Sequence, residues 1–135
     1  MSSLEPYSSH DVKKRKRRDF LSKLIKSESG IKKVILVERT GLTIASVSKF
    51  SYLPIDVDSI GATTSKVFCA CEEQGKNLEL GDLVLVTSEF TGGKIFASNC
   101  GPKGVLTLIS DQNINTSLIR LKLKRSRDEL KEIFD

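Results

Sequence analysis

The stretch Val34-Ile35-Leu36-Val37-Glu38-Arg39-Thr40-Gly41-Leu42 runs four apolar residues into a polar turn closed by glycine. The apolar run has no polar alternation, so it predicts a strand over residues 31–38 that is covered on both faces. Residues 42–48 carry Leu42, Ile44, Ala45 and Val47 among polar neighbours, a less buried partner strand. With a glycine turn between them, the two predict a β-hairpin.

The flanks build outward from this hairpin. Pro54 marks a boundary and Asp56 suits an N-cap. Val57, Ile60, Thr64, Val67, Phe68 and Cys71 then share one face of a helix reaching about Gly75. Residues 83–87, Leu-Val-Leu-Val-Thr, predict a third strand apolar on both faces. The turn Thr91-Gly92-Gly93, a short strand over 94–98, a loop holding Pro102, and a doubly apolar strand over 105–109 follow. Asn113 or Asn115 can cap a last helix whose apolar positions include Leu118, Leu121, Leu130 and Ile133. Upstream, Phe20, Leu21, Leu24 and Ile25 form a helical stripe ended by Gly30. The order α-β-β-α-β-β-β-α predicts a five-stranded, mostly antiparallel sheet in a three-layer α/β/α sandwich.

The 135 residues suit one domain, with 39% apolar and 29% charged side chains. Residues 1–26 hold eight basic and three acidic side chains, and residues 27–135 fourteen of each. The excess charge therefore sits near the N-terminus, in Lys13-Lys14-Arg15-Lys16-Arg17-Arg18. Residues 1–18 are expected to be a flexible basic arm and residues 19–135 the folded domain. The longest apolar run, Val67 to Cys71, is too short to cross a bilayer, and no secretory leader is apparent. Three cysteines, Cys69, Cys71 and Cys100, fit a reducing cytoplasm.

Chemistry-bearing motifs are missing. The single histidine, His10, lies before the domain, so a Ser/His/Asp or Cys/His site in the body is excluded. Cys69 and Cys71 stand about 200° apart on a helix and cannot chelate one metal together. Gly101-Pro102-Lys103-Gly104 has the composition of a hairpin turn, not of a phosphate loop. Asp56 and Asp58 serve a helix start. No catalysis, cofactor, metal or small-molecule substrate is expected.

Surface geometry is what remains. Between Ser59 and Cys71 the middle helix carries one charge, Lys66, and its outer side is small: Ala62, Thr63, Ser65, Cys69 and Ala70. Ordinary amphipathic helices are charged there, so a second surface can approach closely. The strand over 83–87 lacks the Lys or Pro that guards an edge, and the pattern alone leaves open whether it is central or at an edge.

These elements resemble the Roadblock/dynein-light-chain family over about residues 18–134. The residues carrying the resemblance are Val34 to Leu42, Asp56 to Phe68, Leu78 to Leu83, Gly104 to Leu108 and Asn113 to Arg120. Profilin-like and longin domains have similar layers. The resemblance implies a homodimer, or a heterodimer with a second roadblock protein, in which middle helices pack side by side and third strands pair edge to edge. It implies an interface over Ser59, Ala62, Thr63, Lys66 and Ala70 of the helix and Leu83, Val84, Leu85, Val86 and Thr87 of the strand. It also implies a small Ras-like GTPase as partner, acted on without a nucleophile from this chain. The basic run departs from the family pattern. It is expected to be a solubilising or partner-docking tail, with anionic lipid or nucleic acid as alternative targets and peripheral membrane attachment as the consequence of the first.

Overall fold

The computed structural model describes residues 9–49 and 56–134. In chain order the elements are α1 (Ser9–Lys26), β1 (Ile31–Glu38), β2 (Thr43–Ser48), α2 (Val57–Asn77), β3 (Leu85–Phe90), β4 (Gly93–Asn99), β5 (Gly104–Ser110) and α3 (Thr116–Phe134). Five antiparallel strands form one sheet in the order β2-β1-β5-β4-β3. The expected architecture and order are thus found. The boundary expected at Pro54 lies outside the described residues.

The doubly apolar strands occupy the middle. Val34, Ile35, Leu36 and Val37 of β1 and Val105, Leu106 and Leu108 of β5 are all fully buried. Alternation divides them between two layers. On one face Val34, Leu36, Phe96, Leu106 and Leu108 pack with Phe20, Leu21, Leu24 and Ile25 of α1 and Ile119, Leu123, Leu130, Ile133 and Phe134 of α3. On the other, Phe68 of α2 packs with Ala97 and Val105, against half-buried Leu83 and Val86. The first core is large; the second is one aromatic ring among small side chains.

Small residues bring α2 down onto the sheet. A Cβ on Gly61 would stand 2.4 Å from Thr43 Oγ1, a contact no real Cβ makes. The turn glycine Gly41 has φ +99°, and a Cβ there would stand 3.5 Å from Ala62 Cα. Asp56 caps the helix by accepting from the N–H groups of Asp58 and Ser59 at 3.1 and 3.2 Å. Asn115 caps α3 through a bond from Leu118 N–H at 3.1 Å.

Four expectations need correction. Residues 9–18 are helical, so the flexible arm does not extend over Lys13 to Arg18. The third strand begins at Leu85 and runs to Phe90, two residues later than the apolar run, because Leu83 and Val84 lead in from the α2–β3 link. Val67 is exposed and Ser65 buried, because the face of α2 toward the sheet centres on Gly61, Thr64, Ser65 and Phe68. Leu121 is exposed, because α3 buries the stripe of Ile119, Leu123 and Leu130 instead.

Candidate functional site

Side chains and backbone converge where the β1–β2 turn, α2 and the β4–β5 loop meet. Arg39 leaves the first hairpin there and its guanidinium is held on every side. It pairs with Glu72 of α2. It donates to Asn99 Oδ1 at 3.2 Å, the Gly101 carbonyl at 2.8 Å and the Gly104 carbonyl at 3.2 Å. Its central carbon lies 4.8 Å over the Phe68 ring, a favourable cation–π geometry. Its own carbonyl accepts from Ser65 Oγ at 2.7 Å.

Asn99 carries the order onward. Its Nδ2 donates to the Leu83 carbonyl at 2.7 Å and its N–H to the Val84 carbonyl at 3.0 Å. The lead-in to β3 is therefore fixed by the same network that fixes α2. Four of the five guanidinium N–H donors of Arg39 are used within its own chain. Sequence spacing carries no sign of this network, whose members lie 26 to 65 positions from Arg39.

β3 is an edge strand, which decides the question its hydrophobicity left open. Val84 O bonds toward β4, and antiparallel alternation turns the backbone groups of Leu85, Thr87 and Glu89 outward. Val84 is 51% exposed, and no Lys or Pro stands in the strand. Such an edge is open to pairing.

The sheet face beside α2 is unevenly covered. α2 packs chiefly on β1, β2 and β5. Register places Val86, Ser88, Ile95 and Ile109 on that same face, nearer the β3 edge, and all four are only half-buried. Along α2, Ser59, Thr63, Lys66 and Ala70 are exposed and Ala62 is half-buried. A cleft of about 550 Å³ runs between the C-terminal half of α2 and the start of β3, lined by Cys71, Gln74, Leu78, Leu80, Leu83 and Val86 among others. No sequence signal marks Ile95 and Ile109 for this strip; only strand register places them beside the edge.

The basic run sits elsewhere, on the second and third turns of α1 across the sheet. Arg17 Nε donates to the Ile133 carbonyl of α3 at 3.3 Å. Lys13, Lys16 and Lys23 share a cleft with Glu129 and Glu132.

The cysteines divide by environment. Cys100 is buried, its thiol donates to the Ser98 carbonyl at 3.6 Å, and burial pushes its pKa up to about 12. Cys69 and Cys71 are half-buried on α2. Alkylation of the native protein at neutral pH is expected at Cys69 and Cys71, with Cys100 modified only after denaturation; mass mapping of the labelled peptides checks this. Because the folded value lies above the ordinary 9.0, the contribution of this thiol to stability is complete below about pH 9 and is lost as pH rises toward 12.

Among the described residues no three His, Cys, Asp or Glu side chains converge as a metal ion requires, and no helix is long and apolar enough to cross a membrane. What the surface presents is one open strand edge, one small-faced helix, and an apolar strip between them. Residues 18–110 match the Roadblock/LC7 domain, and the chain belongs to that family. An uncharacterized protein of Methanocaldococcus jannaschii is 34% identical over 114 residues, 84% of this chain and 96% of that protein. Among solved structures, Myxococcus xanthus MglB is 26% identical with a TM-score of 0.80, covering 90% of this chain and 89% of its own. The gliding protein MglB from Thermus thermophilus aligns with a TM-score of 0.81 at 16% identity over 94% and 92% of the two chains, a likeness of fold.

Proposed function

We propose that this chain is a non-enzymatic dimeric adaptor that binds a small Ras-like GTPase or scaffolds a GTPase-regulating complex in the cytoplasm. The observation that carries the reading is the half-covered strip of Val86, Ile95 and Ile109 beside an unguarded β3 edge. A second copy, or a second roadblock protein, can complete both features at once. Its β3 continues the sheet, and its α2 lies beside this one across Ser59, Ala62, Thr63, Lys66 and Ala70. Small side chains at those positions permit close helix approach without desolvating many charges. Leu83, Val84, Leu85, Val86 and Thr87 then form the strand side of the interface.

Family membership supports the GTPase as partner, because roadblock proteins are generally regulators and not enzymes. The joined α2 helices offer such a partner a surface with one charge, Lys66, between Ser59 and Cys71 of each chain. The chain acts by stabilising one conformation of the GTPase, with no side chain of its own donated to the reacting phosphate. Sedimentation at micromolar concentration tests the dimer. Affinity capture with GTPases of the source cell, loaded with GDP or GTP, tests the partner. A dimer that retains one GTPase in a nucleotide-dependent way is expected; a monomer with a stable fold, or capture indifferent to every candidate, contradicts the reading.

A further inference from the structure

The two helices opposite α2 concentrate the charge of the molecule. α1 carries eight basic and two acidic side chains, and α3 six basic and three acidic, together a net of +9. The whole chain is only +5, so everything else sums to −4. The two helices thus form a cationic layer on one face of the sheet.

The outward faces of the two helices repeat one pattern. On α1, Val12 is 40% exposed, with Arg15 and Lys16 three and four residues on. On α3, Leu121 is 42% exposed, with Lys124 and Arg125 at the same spacings. Residues three and four apart share a helix face. Each helix therefore presents one aliphatic side chain flanked by two exposed cations, away from the core. The helices run antiparallel: the first half of α1 meets Glu129 and Glu132, and Lys122 pairs with Glu28 beyond the end of α1 at 3.8 Å. The two triplets consequently lie toward opposite ends of one layer.

Arg17 ties α1 to α3 through the Ile133 carbonyl, and Phe20, Leu21, Leu24 and Ile25 anchor the helix in the core, so the basic helix is seated on the folded body.

We propose that the outer face of α1 and α3 is a docking platform for an anionic lipid bilayer, contacted by Val12, Arg15, Lys16, Leu121, Lys124 and Arg125. Charge and shape both favour a bilayer. Aliphatic side chains among cations on a helix face enter the boundary between headgroups and acyl chains, and each basic residue near an anionic leaflet adds attraction. A phosphate backbone makes no use of Val12 and Leu121. The aromatic side chains of the two helices, Phe20 and Phe134, are buried and offer bases no stacking surface. A bilayer-bound chain leaves α2 and the β3 edge facing the cytoplasm.

The test is vesicle co-sedimentation of the full chain with phosphatidylcholine alone and with phosphatidylserine added. Binding to the mixed vesicles only, weakened by salt, is expected. The Lys124→Glu, Arg125→Glu variant should bind at least about 30-fold more weakly although Lys13 to Arg18 are untouched, and Leu121→Ser several-fold more weakly. Circular dichroism checks the fold, and Lys124→Ala, Arg125→Ala is the milder variant if charge reversal unfolds the chain. Sedimentation of the same samples separates failure of this surface from failure of self-association. Equal binding to both vesicle types, no loss in either α3 variant, or preference for a DNA or RNA duplex over acidic vesicles at one salt concentration would overturn the proposal.

Discussion

Arg39→Met is expected to cost about 3 kcal/mol of stability, roughly 10 °C in melting temperature. The Arg39 side chain is 18% exposed, and its guanidinium joins Glu72, Asn99, Gly101 and Gly104 while covering Phe68. Methionine preserves much of the bulk and removes every donor. The Gly101 carbonyl and the Glu72 carboxylate then lose their partner; Glu72, itself 31% exposed, recovers part of the loss from water. Arg39→Lys should restore less than half, because a point charge cannot reach acceptors on three sides as a planar fork does. Urea unfolding of the three proteins at one concentration measures this. The same variants should exchange faster at the lead-in to β3, since Asn99 holds Leu83 and Val84. A lysine variant as stable as the parent would show that the network contributes little.

The second large effect is expected at the edge. Thr87 turns its backbone N–H away from β4, so proline there removes an outward donor and leaves the bonds of the internal sheet in place. In a two-fold dimer joined through β3 each chain loses one such donor. Association should weaken by about 2–3 kcal/mol, roughly 30- to 150-fold, while circular dichroism is unchanged. Val84→Lys is a useful companion, because Val84 is half exposed and lies outside both cores. Analytical ultracentrifugation over a concentration series reads both. Unaltered dimer affinity in the proline variant would exclude edge pairing.

Much of the fold is legible in periodicity and punctuation. Val34 to Val37 and Val105 to Leu108 announce central strands, because two-sided burial leaves no alternation. Gly41, Asp56 and Asn115 mark real turns and caps. The errors cluster where small or charged residues do the packing. On α2 the apolar stripe points to Val67, whereas Gly61 and Ser65 decide the orientation, since a helix pressed onto a sheet needs small side chains at the contact. On α1 six cations in a row look like a solvated arm, whereas the helix runs through them and one of them, Arg17, reaches the Ile133 carbonyl of α3. The position of β3 at an edge is a property of strand order, which local hydrophobicity does not encode. The Arg39 network joins residues far apart in sequence and has no local signature.

On the proposal made above, a second polypeptide covers β3. The outward amide groups of Leu85, Thr87 and Glu89 report on it most directly, since the isolated chain gives them no strand partner. Hydrogen exchange at these amides, measured by NMR at a concentration where the chain is fully assembled and again on dilution, should show protection that disappears as the assembly dissociates. Exchange at the rate of an unprotected edge under both conditions would contradict the account.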